Sequence, residues 1–515
     1  MRSKTGAVPG QRRATTGGAD DARLAELGYN RVLWRRMSGF ANFAISASIM
    51  AVVAGVANSI QLPMNAGGPR LMVFGWAGVG AMVMLVVLSM AEIASAYPVA
   101  GAGYYWADKL ARKHGNFYSG LAGWLNFFGL LGGVAATDMA VTSFIGALVA
   151  LQWNDTLTPA QLYVVYAAVL AIHAWLNACA PRTTDLLHKI SVWWLVLGSA
   201  AIIVTLFTVP HQHANATFAL TRFVNSTGFH SGLYVSAIGL LFAAWTFTGF
   251  DASAHTGEET ENAQWSVPRG MVRAVAFTWI LGLILTIAFT FSMIPDRYAS
   301  EAAAPVAAAQ IFLDQLGPTG AKLLLLVVTG AIFFCGIANV TAASRQTFAF
   351  SRDGAMPFST WLRTVKGADG KGIPRNAVWL VCTLALLLAL PSLWNSWAFP
   401  AVVSINVIGL FTSYGIPIAL RLRLGRDFTP GPWNLGRKGP WIAGAATVWI
   451  AASCTAFLLP QTRPITIHNF NYAPVALAVV LLIAGGWWAS PSRKYDGARN
   501  EITARQMAKA MEDIA

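Results

Sequence analysis

Three carboxylate residues lie inside long apolar stretches of the chain: Glu92, Asp138 and Asp251. An ionisable group in hydrocarbon costs several kcal/mol unless it is paired or faces water, so each is a functional candidate from its position alone. Asp251 has the richest surroundings. It belongs to Leu240–Glu259, LLFAAWTFTGFDASAHTGEE, where Gly249 weakens any helix and the oxygens of Thr246, Thr248 and Asp251 gather around it. Unwound backbone flanked by small and polar residues lets a mid-membrane site present amides and carbonyls to a charged ligand. Residues 53–58, VAGVAN, form a milder counterpart near the first apolar run. A desolvated carboxyl also titrates, so Asp251 and Asp138 are candidate proton carriers. Structural readings compete. Asp138 could bond a neighbouring helix, and Glu92 could anchor a helix end.

Other chemistries lack their residues. No phosphate-cradling G-x-x-x-x-G-K-[ST] and no G-x-S-x-G elbow occur. His255, Glu258 and Glu259 spell H-x-x-E-E, without the H-E-x-x-H spacing of a zinc protease, so no metal site is expected. Cys179, Cys335, Cys382 and Cys454 form no C-x-x-C pair and read as small buried hydrophobes, and His173 reads as a core histidine. No cofactor is implied.

The elements that must position these groups follow from composition. The 515 residues are 56% hydrophobic and only 11% charged, against about 25% charged in a soluble domain. Twelve apolar runs, each long enough for a tilted helix, imply an all-α polytopic membrane protein with about 12 transmembrane helices. The third run (about 119–150) and the eighth (about 320–350) are overlong, and Pro391 cuts the ninth short. The expected organisation is a tail over 1–38, a membrane domain over 39–490 and a second tail over 491–515. In that second tail, residues 502–514 have helical spacing. The net charge of +14 is topological rather than a sign of nucleic-acid binding. With the N-terminus cytoplasmic, all but Arg70, Arg222, Arg297, Lys322 and Arg463 of the 36 Lys and Arg residues fall inside. The positive-inside rule then puts both termini in the cytoplasm.

Several motifs have a familiar form. Residues 89–106, SMAEIASAYPVAGAGYYW, resemble the span-two motif of the amino acid–polyamine–organocation (APC) superfamily. Residues 249–263, GFDASAHTGEETENA, with VPRG at 267–270, resemble its span-six motif. Ser344-Arg345 and AFSRDGAMP at 349–357 are similar to its span-eight motif. LGY at 27–29, NFAIS at 42–46 and GGP at 67–69 point to the amino acid/choline transporter branch, which includes GABA permeases.

The resemblance implies a leucine-transporter-like fold. Two five-span inverted repeats (about 39–209 and 233–420) would be followed by two peripheral helices (about 440–490). It implies that the interrupted stretches of spans one and six form the substrate site. Ala54, Gly55 and Val56, with Asn58 beside them, would face a substrate carboxylate, and the backbone from Ala244 through Thr246 to Thr248 would hold an amino group. Trp245 matches an aromatic gate, Asp251 matches an acidic position tied to proton-dependent release, and Asn126 and Asp138 would lie beside the site. There are departures. Gly129-Leu130 stands where Gly-Gln is frequent, Leu195 where some proton-coupled relatives carry lysine (Lys189 lies nearer the helix end), and Gly257 where Ser or Ala is usual.

The expected function is secondary active transport of an amino acid or related small amine by alternating access in the inner or plasma membrane. A proton is preferred to sodium as coupling cation because Asp251 and Asp138 can titrate. Exchange of two solutes, sodium-coupled transport of choline, GABA or polyamine, and a non-transporting nutrient sensor are the alternatives.

Overall fold

A computed structural model describes residues 16–489 apart from 30–32, 34, 36, 366–371 and 467–468, together with Tyr495 and Gly497. The helical spacing of the C-terminal tail lies outside the described residues. Among them, ten helices are long and apolar enough to cross a membrane, and two shorter apolar ones, Gly232–Thr246 and Ala473–Ala489, complete a set of twelve. With no water to satisfy backbone groups in lipid, helices that bond internally are the expected outcome of such runs. The chain is an all-α, multi-pass membrane protein.

Span one (Gly39–Asn65) and span six (Gly232–Thr246, resuming at Ala252–His255) are both interrupted. Span three is Gly115–Trp153, span four Pro159–Cys179, span seven Ala263–Phe291 and span ten Ala398–Leu424. Span eight belongs to a helical stretch, Ala307–Arg352, that is broken at Gly317, with φ 68° and ψ −179° ahead of Pro318. This backbone region is open only to glycine, and the residue before proline avoids the helical one. The overlong eighth run therefore starts after a shorter helical piece over residues 307–316, which its apolar pattern did not reveal.

The face where the N-terminal segment lies, here called the basic face, is densely bonded. The helix Thr16–Glu26 runs beneath it: Arg23 Nη2 donates to Ala96 O (2.7 Å), and Asp20 accepts from the amides of Asn262 (2.7 Å) and Ala263 (3.1 Å) at the start of span seven. Met37 N donates to Glu259 O (2.8 Å), and Glu261 N donates to Met37 O (2.9 Å). Tyr29 and Tyr104 each donate a hydroxyl to Asp353 Oδ2 at 3.0 Å. Burial pushes the Asp353 carboxyl up to about 6, although Arg352 lies beside it. Glu92 also has a partner. Arg421 Nε donates to it at 2.9 Å and Leu435 N at 3.1 Å, so this carboxylate anchors the end of span two to span ten and the loop after it.

Candidate substrate site

The two interruptions face each other. In span one the break falls at Ala51, whose φ of 29° and ψ of 65° end the helix Gly39–Met50 before Val52–Ser59 begins. A non-glycine residue in left-handed backbone at a buried position is strained and held there by its surroundings. In span six the helix ends at Thr246, and Gly249 turns the chain with φ 85°. A Cβ on Gly249 would stand 2.2 Å from Ile49 Cγ2 of span one. A Cβ on Gly55 would stand 2.2 Å from Thr246 Cγ2. The glycines thus let the broken helices touch.

Between them lies a cavity of about 30 Å³, lined by Ala54, Gly55, Trp245, Thr246 and Thr248 from the expected set. Spans three, eight and ten add Thr137, Asn339 and Asn406, which sequence reasoning passed over, and Cys335, which it read as a small buried hydrophobe. Their signal was amide and hydroxyl side chains inside apolar runs, a signal read in the sequence only at Asn58, Asn126, Thr246 and Thr248. The space fits about one water molecule, so a larger solute enters only if a lining side chain moves. Trp245, edge-on to Phe399 at 6.2 Å, is the bulkiest of them.

The remaining expected residues lie around this cavity rather than on it. The amide of Gly55 donates to Ala51 O (2.9 Å) within the second piece of span one, and Val56 O accepts from Ile60 N (3.1 Å). A helix leaves its first-turn amides without a partner in the helix itself, and in that piece those are residues 52–54. Ala244 is packed in the core. Thr246 Oγ1, Asn58 Nδ2 and Asn126 Oδ1 are among the buried polar atoms without a hydrogen-bond partner. Thr248 Oγ1 donates to Trp245 O (2.7 Å) and meets Asn406 Oδ1 (3.2 Å), while Asn406 Nδ2 donates to Gly129 O (2.8 Å).

The two candidate proton carriers have separate surroundings. Asp251 accepts from Tyr414 OH at 2.7 Å and Asn126 Nδ2 at 3.2 Å, and it meets His255 Nε2 at 3.2 Å. Asp138 meets His173 Nδ1 at 3.0 Å, both fully buried. Gly336 of span eight presses on this second pair, since a Cβ there would lie 2.3 Å from His173 Cε1. His173 is therefore buried as expected, but as the partner of Asp138. The H-x-x-E-E residues diverge: His255 turns to Asp251, Glu258 to Arg352 (3.1 Å) and Glu259 to Arg345 (3.3 Å).

Helices broken at facing points around a cavity with a few convergent polar groups, inside a bundle of membrane-length spans, are the arrangement of a polytopic membrane transporter. Comparison with known proteins agrees. The amino acid permease family model matches residues 37–483. The chain is 38% identical to an amino-acid permease BAT1 homolog of Oryza sativa subsp. japonica, covering 94% of this chain and 97% of that protein. It is 36% identical to the amino-acid permease BAT1 of Arabidopsis thaliana (92% and 95%), and 30% identical to a GABA-specific permease of Saccharomyces cerevisiae (96% and 88%). The chain belongs to the amino acid permease family of the APC superfamily, whose members are transporters and not enzymes.

Proposed function

We propose that the protein is a secondary active transporter carrying an amino acid or a related small amine in symport with a proton. It would work by alternating access in the inner or plasma membrane, with both termini and the basic face in the cytoplasm. The observation that carries this reading is the meeting of the two broken helices on one cavity, largely apolar but reached by the polar side chains of Thr137, Thr246, Thr248, Asn339 and Asn406. The first turn of Val52–Ser59 offers the positive end of a helix dipole, and the last turn of Gly232–Thr246 offers the negative end. A zwitterion with a carboxylate and an ammonium a few ångströms apart satisfies both, and Thr246 Oγ1 is an unpaired polar group at the same place. Asp251 and Asp138 remain the candidates for the coupling proton, and Trp245 for the gate.

The test is uptake into proteoliposomes that are empty inside, with an imposed inward proton gradient. Labelled amino acids, γ-aminobutyrate, choline and putrescine would be offered, with a protonophore as control. Protonophore-sensitive accumulation of one compound is expected. Accumulation driven only by sodium, or seen only in vesicles preloaded with solute, would overturn symport with protons. Trp245→Ala is expected to abolish tight retention of substrate while leaving the fold intact, and unchanged affinity and transport in that variant would remove the gate assignment.

A further inference from the structure

Resting on the proton-coupled reading, we propose that Asp251 and His255 hold one transported proton as a pair. We further propose that the peptide group of Ala100 ties this pair to the Glu258–Arg352 bridge closing the basic face. His255 Nδ1 lies 3.1 Å from Ala100 O. A carbonyl oxygen only accepts, so Nδ1 carries a hydrogen. The other ring nitrogen, Nε2, lies 3.2 Å from Asp251 Oδ2. A neutral imidazole would turn a lone pair on that carboxylate, so one further proton must lie between the two residues.

Its place follows from the neighbours. Ser413 Oγ donates to Leu410 O (2.8 Å) and therefore accepts from Asn126 Nδ2 (3.1 Å), which fixes the Asn126 amide with its nitrogen toward Asp251 Oδ2. Tyr414 OH accepts from Gly249 N (3.4 Å) and donates to Asp251 Oδ1 (2.7 Å). Two bonds donated to the carboxyl by Tyr414 and Asn126 favour its ionised form, and on that ground we place the shared proton on the ring, as an imidazolium–carboxylate pair.

The groups facing the pair can be named by element. Span ten brings Tyr414 and span three the neutral Asn126. Span one brings Ser46, bonded to Ser253 (2.7 Å), and the connection after span two brings Ala100. Beyond Ala100 lie Glu258, and Arg352 and Asp353 at the end of span eight. Asp251 is 1% and His255 0% exposed, so water does not compete for the proton in this conformation.

The peptide of Ala100 is held at both ends. Its oxygen accepts from His255, and its nitrogen donates to Glu258 Oε1 at 3.1 Å. Glu258 in turn accepts two bonds from Arg352, at 3.1 and 3.2 Å. One chain of hydrogen bonds therefore runs from the substrate cavity floor to the basic face. When the imidazolium gives its proton to water, the neutral ring keeps one hydrogen for two acceptors. Either Ala100 O or Asp251 then loses its donor, and the chain breaks at that point. Opening of the basic face and release of the proton become one event.

Two measurements on the full-length protein in detergent test this. The first is nitrogen NMR of ¹⁵N-histidine-labelled protein across pH, with His255 assigned by its absence in His255→Gln. Wild type is expected to show a doubly protonated His255 at neutral pH, and Asp251→Asn, whose amide donates to Nε2, a singly protonated one. A neutral His255 in the wild type overturns the proposal. The second is hydrogen–deuterium exchange of the segments around 96–106 and 252–262, corrected for intrinsic rates. Exchange in the wild type should accelerate at least tenfold as pH rises through the His255 titration. Asp251→Asn should stay protected throughout and His255→Gln should be fast throughout. If the variants do not fold, the wild-type pH series decides alone: corrected exchange that ignores the pH of His255 titration refutes the tie to the bridge. Uptake insensitive to protonophore, with both signatures intact, would instead refute proton coupling and leave the switch standing.

Discussion

Gly55→Ala should damage substrate handling because span one meets span six at that residue. A Cβ there would stand 2.2, 2.4 and 2.8 Å from Cγ2, Oγ1 and Cβ of Thr246. Ordinary contact begins near 3.4 Å, so the helices must part by roughly 1 Å in a region packed like a crystal. Overpacking of this kind costs about 1–3 kcal/mol, or about a 5- to 150-fold loss of affinity if it falls on the closed, loaded state. Alanine is otherwise the better helix former, so the second piece of span one should itself be unharmed. Thr246→Ala removes the two nearest atoms but leaves Cβ at 2.8 Å, and only Thr246→Gly clears the space. Affinity by scintillation proximity on purified single and double variants, with the compound found in the uptake panel, gives the double-mutant cycle. Gly55→Ala should cost most affinity beside Thr246, less in the Thr246→Ala background and least in the Thr246→Gly background. An equal cost of Gly55→Ala in all three backgrounds would refute the contact.

Two further predictions concern stability. Glu301, on a short helix between spans seven and eight, is pushed up to about 7 by burial. The folded state thus disfavours its charge, and stability present at low pH is lost as pH rises from the unfolded value of 4.5 through about 7. Glu301→Gln should therefore raise thermal stability by on the order of 1–3 kcal/mol at pH 8 and by little at pH 5; an equal gain at both pH values would contradict this. Arg421→Met strands the buried Glu92 and should cost about 3–5 kcal/mol in thermal unfolding, largely restored by adding Glu92→Gln; a single variant as stable as wild type would show the pair to be dispensable.

The twelve apolar runs and the bend at Gly249 were legible because both write themselves into local composition: long hydrophobic stretches, and a glycine among hydroxyl and carboxyl residues. The break at Ala51 was not. Alanine favours helix more than any other residue, so nothing local marks its left-handed backbone, and the glycine at 55 drew the eye four residues too far along. Glu92 and Asp138 were recognised as costly, but their partners, Arg421 and His173, lie 329 and 35 residues away, and nothing local announces such pairings. His255 sits one turn from Asp251, a spacing visible in the sequence, but His255 was weighed only with Glu258 and Glu259 as a metal motif. Asn339 and Asn406 escaped because an amide in an apolar run raises less suspicion than a charge.

The strap beneath the basic face has a consequence for how the protein is made. Asp20 waits for Asn262 and Ala263, which follow it by 242 and 243 residues. At roughly 5–20 residues per second, the ribosome delivers those partners about 10–50 s later. Throughout that interval the first six spans must insert with this contact unmade, and Asp20 can cap span seven only once the second half has begun to arrive. The N-terminal segment therefore finds its place only after six spans have been made, midway through the assembly of the bundle rather than at its start.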